Sequence, residues 1–265
     1  MLKQERIHLV PAQQRKRSLI IALGILVLFI VASFYTGYEP VSFLLNMEQF
    51  WAFIFGDLLP PKMNSWNRVL TSLMQTFSMA MAATLISSVL ALLMAFLGSN
   101  VTAPWKPLKK GIRFLASIAR NIPNMIWIFI LIMAFGIGNL VGMLALLISS
   151  GGFLTRSFIE VMDEVGTESL ESMQAVGAGR MATITQVVIP ASLPGFVSWL
   201  MYSFETNIRS STLVGAVGGG GIGLLMTGYI KQFRYGSAMG VILLVAAVVI
   251  LVDMLTNVLR KKVLV

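Results

Sequence analysis

Cysteine is absent from this chain of 265 residues, histidine occurs once, and charged side chains make up only 12% of it. Without cysteine there are no disulfides and no thiolate metal ligands. With His8 as the lone histidine, set in a basic N-terminal stretch, no histidine-rich metal cluster can be built. A phosphate loop of the form G-x-x-x-x-G-K-[ST] is missing, and no lysine stands beside a glycine-rich turn. The chain is therefore not expected to hydrolyse ATP. No nucleophile–base pair appears either, so the expectation is a protein that is not an enzyme and binds no metal or cofactor itself. The shortage of charge is the most restrictive absence. Soluble domains carry about 25% charged residues, whereas this chain is 57% hydrophobic. A net charge of +9 could suit nucleic acid, but the basic residues border apolar runs instead of forming a stripe, so no nucleic-acid partner is expected.

What is present is a series of long apolar runs, and the expected class is an all-α membrane protein. The first run, Ser18 to about Tyr35, follows Arg15-Lys16-Arg17. It is too long for a signal-peptide core and lacks a small-x-small cleavage site after it, so it reads as a retained transmembrane helix. Further runs cover roughly Val69–Leu97, Phe114–Phe135, Leu140–Ile159, Ala191–Ile208 and Ala238–Leu259. About six transmembrane helices are predicted, each near the ~20 residues a bilayer requires. Basic clusters precede the first run, lie between the second and third (Lys106, Lys109, Lys110, Arg113), and close the chain (Arg260, Lys261, Lys262). An even number of spans puts all three on one side, which the positive-inside rule makes cytoplasmic. Residues 1–17 then form a basic cytoplasmic tail and 18–265 one transmembrane domain, with both termini inside. Residues from about 38 to 66 fall outside. They include an aromatic, amphipathic stretch from Met47 to Phe55, suited either to the membrane interface or to packing over the helices. Pro60-Pro61 ends it and forces an extended approach to the second span.

The topology also places residues from about 160 to 190 in the cytoplasm. Asp163–Gly166 reads as a helix end, with Gly166 free to adopt the left-handed conformation. Thr167 is a plausible N-cap for a second short helix, with Glu168 at its positive end. Gly177 allows a sharp reversal, and Pro190 is expected to restart a helix at the membrane surface. Such a segment is either a docking knob or an ordinary connector between helices.

The run from Glu205 to Gly223 holds Arg209 and six glycines. Gly218-x-Gly220-x-x-Gly223 matches a dinucleotide fingerprint literally, but no βαβ unit surrounds it. At membrane depth it is better read as a broken or re-entrant element, tolerated only where protein buries it or water wets it. Arg209 follows Glu205 by four residues, so the two either neutralise one another or place an arginine on a translocation path. Glu205, Asn207, Arg209, Ser210, Ser211, Thr212, Gly218 and Gly220 are the candidate path residues, with free N–H groups of the glycine run completing an anion-contacting surface. Arg120-Asn-Ile-Pro123-Asn is a similar break, whose arginine is expected to snorkel to the headgroups.

Two stretches carry a family resemblance. Glu171, Ser172, Met173, Gly177, Val187, Ile189 and Pro190 fall at the offsets of the "EAA" coupling motif of ATP-binding-cassette (ABC) importer permeases, with Ser172 and Met173 replacing its two alanines. Together with Asn207-Ile-Arg209-Ser-Ser-Thr-Leu-Val-Gly215, the pattern resembles the phosphonate-type permeases of bacterial ABC importers, from about Trp66 to the C-terminus. The resemblance implies a type I ABC importer permease fold in the bacterial inner membrane. It also implies a C2 homodimer, two cytoplasmic ATPase subunits that hold ATP and Mg, and a periplasmic or lipid-anchored substrate-binding protein. The expected cargo is a phosphonate or a related phosphorus oxyanion, moved by alternating access. Permeases for methionine share both features and stay open as an alternative. An ion-coupled secondary transporter is the alternative of another class, but no internal repeat supports it.

Overall fold

The structure, a computed structural model, describes residues 12–63, 65–175 and 177–263. The chain divides into two compact units, Met1–Asp57 and Leu58–Val265. The first contains α1 (Ala12–Thr36), α2 (Pro40–Leu45) and α3 (Met47–Ala52), followed by a π turn over Phe53–Leu58. Within α1, Lys16–Thr36 is long and apolar enough to cross a membrane. Its leucines, isoleucines and phenylalanines are exposed along its whole length, as a lipid-facing helix requires. In α3 and the following turn Trp51 stacks on Phe55 with ring centroids 5.7 Å apart, which gives the segment the aromatic face read from its sequence.

The second unit contains α4 (Trp66–Gly98), α5 (Lys106–Asn121), α6 (Asn124–Phe135), α7 (Asn139–Ala175), α8 (Arg180–Thr183), α9 (Ile189–Val214), α10 (Gly221–Lys231) and α11 (Tyr235–Val263). Its centre is the pairing of α4 with α7. The face of α4 turned inward is a ladder of small residues, including Ala80, Ala83, Thr84, Ser87, Ala91, Ala95 and Gly98. Without a hydrophobic drive between helices in lipid, such residues matter because they let backbones approach closely. Gly151 of α7 faces Ser87, and Gly98 lies against Ile159, where an added Cβ would sit 2.6 Å from the isoleucine. Contacts thus advance together along both helices, so α4 and α7 run parallel. The chain between them must recross the membrane.

That crossing is made by α5 and α6, and the run read over Phe114–Phe135 is broken at the Arg120–Asn124 stretch, where the sequence suggested a break. The two helices are bent by 92°. Pro123 disfavours helical geometry in the residue before it, and Ile122 is extended at φ −79°, ψ 122°. Lys106, Lys109, Lys110 and Arg113 recur at helical spacing on one face of α5, which keeps its first half at the basic end of the bundle. α9 returns antiparallel to α7, with Gly195 against Val161 and Gly219 against Gly142. α11 runs parallel to α4: Val241 meets Val69, and Val252 meets Ala80. Counting the bent α5–α6 pair as one, the unit holds five candidate crossings, and α1 brings the number to six.

Two further expectations are corrected. Gly166 does not close a helix and Thr167 does not cap one, because α7 continues unbroken to Ala175. Gly166 is needed for contact instead: its Cβ would lie 2.2 Å from Val101. Pro190 does not restart a helix either. Residues 180–219 form one helical run, and a π turn over Ile184–Val188 immediately precedes the proline. A proline lacks the N–H and crowds the carbonyl four residues earlier; the wider turn absorbs both defects without ending the helix.

Candidate functional site

The basic end is organised by one carboxylate. Asp163 Oδ1 accepts from Ser99 Oγ at 2.7 Å and from the Asn100 N–H at 2.6 Å. Its Oδ2 accepts from Asn100 Nδ2 and from Arg113 Nη2, both at 2.6 Å. Arg113 Nε donates to the Gly98 carbonyl at 2.8 Å, satisfying one of the orphan acceptors at the end of α4. The end of α4 is thereby clamped to the middle of α5 and to α7, with Asp163 and Arg113 only 18% and 26% exposed. Arg180 grips the α4–α5 loop from the other side, donating to the carbonyls of Val101 at 2.9 Å and Ala103 at 3.0 Å. The sequence reading placed Asp163 at a helix end and Arg113 in a positive cluster; their partnership spans fifty residues and left no local signal.

The segment resembling a coupling motif hangs from this clamp. Glu171 and Ser172 lie on the last turns of α7, and their side chains fall outside the described residues. Met173 is half-buried, and its carbonyl accepts the Ala178 N–H at 3.0 Å across the turn. Gly177 has φ +77°, the left-handed conformation its place in the sequence implied. Val187 and Ile189 are half-buried and Pro190 is exposed. The reversal thus presents a short, glycine-hinged projection directly beyond Asp163 and Arg180.

The candidate path residues separate into three groups. Glu205 is buried and pairs with Arg209 Nη2 at 2.9 Å, with Arg260 Nη2 of α11 at 3.9 Å. Its carboxylate therefore sits between two guanidiniums, while Arg209 itself is half exposed. Asn207 faces the other way and is buried: its Nδ2 donates at 2.9 Å to both Thr84 Oγ1 and Ser150 Oγ. Ser150 lies midway between Asn139 and Asp163 along α7, so this network ties α4, α7 and α9 near the middle of the crossing. Ser211 is buried and donates to the Ile208 carbonyl at 2.7 Å, whereas Ser210 and Thr212 are half-buried.

The third group is the glycine break, where the helix leaves α9 through a π turn over Gly215–Gly219. Gly218 and Gly220 have φ +116° and +80°. The N–H groups exposed by the break are not left free: Gly221 donates to Asn139 Oδ1 at 3.1 Å and Ile222 to Thr76 Oγ1 at 2.7 Å. Gly220 lines a cavity of about 450 Å³ at the end opposite the clamp, with Arg68, Gln75, Asn139 and Tyr229.

Arg120 does not reach the basic end. The last turn of α5 lies on Gly152 of α7, whose Cβ would meet the Arg120 amide nitrogen at 2.7 Å. Trp127 Nε1 donates to the Ala119 carbonyl at 3.3 Å and braces the bend. The sequence suggested the break but sent this arginine to the headgroups, because the close approach of Gly152 has no local signature.

Residues 87–265 match the family described as binding-protein-dependent transport system inner membrane component. The phosphite transport system permease protein of Stutzerimonas stutzeri is 34% identical over 88% of this chain and 84% of its own length. The phosphate-import permease protein of Mycolicibacterium smegmatis is 28% identical over 79% of this chain and 40% of its own. Among solved structures, the inward-facing MetNI methionine ABC transporter superposes with a TM-score of 0.65 at 21% identity, covering 76% of this chain and 99% of that one; at that identity the likeness concerns the fold. Parallel α4 and α7 locked at one end, a glycine-hinged projection beyond the lock, and a match over two thirds of the sequence lead to one conclusion: the chain belongs to the inner membrane components of binding-protein-dependent transport systems.

Proposed function

We propose that this chain is the permease of an importer for a small phosphorus oxyanion (phosphite, a phosphonate or phosphate). It works as a C2 homodimer with two ATPase subunits, which hold ATP and Mg, and with a binding protein that delivers the anion from outside. The observation that carries the cargo is the identity to a phosphite permease along most of both chains. Lys106, Lys109, Lys110, Arg113 and Arg180 gather at the clamp, so the positive-inside rule supports a cytoplasmic location for that end and for both termini.

In this reading Glu171, Ser172, Met173 and Gly177 meet the ATPase, and Val187, Ile189 and Pro190 seat the returning helix. A displacement of the projection pulls α7, which carries Asp163. Through Arg113, Ser99 and Asn100 that pull moves α5 and the loop after α4. α5 ends at the Arg120 bend, so nucleotide-driven movement at the cytoplasmic surface arrives at mid-membrane. The anion path runs beside α9, whose polar positions Glu205, Asn207, Arg209, Ser210, Ser211 and Thr212 are distributed over its faces, and the break at Gly218 and Gly220.

The cargo is tested by uptake into cells that lack their own phosphorus-oxyanion importers and express this permease with its ATPase and binding protein. Accumulation of phosphite, methylphosphonate or phosphate is expected. Uptake of methionine and of none of these three overturns the cargo. Arg209→Gln is expected to lower uptake by a few fold only, because Glu205 already offsets the charge. Uptake equal to wild type in a normally assembled complex removes Arg209 from the path.

A further inference from the structure

A cavity of about 190 Å³ opens between the Arg120 bend, α7 and α9. Its polar lining consists of Arg120, Asn124, Ser149, Ser150, Tyr202, Ser203, Thr206 and Asn207, with Phe153 as the apolar contact. No aspartate or glutamate lines it. Ser150 and Asn207 are engaged with Thr84 and with each other, which makes them a rigid wall. The remaining donors are unspent. Ser203 is 97% buried yet its hydroxyl has no hydrogen-bond partner among the described residues. The Arg120 guanidinium, the Asn124 amide and the Thr206 hydroxyl likewise have none.

Ser203 is buried, Asn124 and Thr206 are half-buried and Arg120 is exposed on the single chain, so these donors are open to a ligand that enters the cavity. Here one cation and several neutral donors converge without a competing carboxylate. Glu205, the nearest acid in α9, points to the opposite side, where Arg209 and Arg260 hold it. The complement of such a lining is a compact anion with several acceptor oxygens. A single guanidinium also suits a site that must release its ligand, since one charge-assisted contact binds weakly.

We propose that this cavity is a mid-membrane way-station for the transported oxyanion. Arg120 supplies the charge, and Ser203, Thr206 and Asn124 donate to the oxygens. Asn207 and Ser150 are positioning residues that hold α9 and α7 at the required spacing. Because Arg120 terminates α5, the clamp and the site lie on one helix, and movement of α5 changes the distance between the guanidinium and Ser203. The proposal rests on the oxyanion reading of the cargo given above.

The test uses the complete transporter, permease with ATPase and binding protein, reconstituted in liposomes. Transport and binding-protein-stimulated ATP hydrolysis are measured in the same preparation. For whichever of phosphite, methylphosphonate and phosphate the wild type carries, Arg120→Gln is expected to cut the transport rate about tenfold or more, while stimulated hydrolysis stays near wild type. Arg120→Lys recovers part of the rate, and Ser203→Ala gives a smaller loss of a few fold. If Arg120→Gln disturbs assembly, Ser203→Ala combined with Thr206→Val carries the test with the charge intact. Unchanged transport in these variants overturns the site and leaves the cargo standing. A wild type that carries none of the three anions overturns the cargo reading, and the site falls with it.

Discussion

Asp163→Ala is expected to abolish uptake and to lower the melting temperature of the detergent-solubilised permease by several degrees. The carboxylate receives four hydrogen bonds of 2.6–2.7 Å from three residues. Removing it strands the Arg113 guanidinium and the Asn100 amide in a site that is only partly open to water. Breaking a charge pair of this degree of burial costs about 3 kcal/mol, enough to shift a folding equilibrium by roughly two orders of magnitude. The functional loss should exceed the stability loss. The same carboxylate is what joins the projection carried by α7 to α4 and α5. Asp163→Asn separates the two effects: the amide keeps an acceptor for Ser99 and the Asn100 N–H but loses the charge for Arg113. A variant that folds, supports ATP hydrolysis by the ATPase subunits of the proposed complex and moves little substrate is the expected phenotype. Wild-type uptake and melting in Asp163→Ala would sink the clamp as the coupling route.

The second large effect is expected at Gly223. Its Cβ would stand 2.0 Å from the Thr212 carbonyl oxygen and 2.6 Å from the Ala216 nitrogen. Both obstacles are backbone, so no rotamer change relieves them, unlike the side-chain contacts that make ordinary overpacking cost about 1–3 kcal/mol. Gly223→Val should therefore leave little folded permease in the membrane fraction, and Gly223→Ala should be recovered with a markedly lower melting temperature. Gly177→Ala offers the contrast. Gly177 has φ +77°, which Gly223 does not share, and nothing lies within 4 Å of its missing Cβ. That substitution carries backbone strain alone, on the order of 1 kcal/mol. Equal melting temperatures for Gly223→Ala and Gly177→Ala would show that the α9–α10 crossing is looser than described.

This difference between two glycines marks how far the sequence could be read. Composition and run length were sufficient for the membrane class and for the number of crossings, because the hydrocarbon thickness imposes a length on any helix that spans it. The turn at Gly177 was legible as well, since a reversal of the chain calls for a residue that tolerates positive φ. The break before Asn124 was visible as a proline but misjudged in its consequence. A 92° bend at mid-crossing needs Gly152 of α7 to receive the end of α5, and that close approach has no local signature. Gly166 and Pro190 were misread for the same reason: each looked like a helix boundary by propensity, and packing against Val101 or a preceding π turn overrode it.

By itself, then, the sequence determined an all-helical membrane chain, its basic end and the spacing of the projecting segment. These properties depend on residue type and near neighbours in the chain. Only the tertiary structure decided that Asp163 joins α7 to α5 and to the end of α4, that Arg260 is the second arginine beside Glu205, and that Arg120 lines a cavity with Ser203 and Thr206. Asp163 with Arg113, Glu205 with Arg260 and Arg120 with Ser203 are each fifty or more positions apart. They follow from which helix faces pack together, a choice made by small residues and close backbone contacts along the whole bundle.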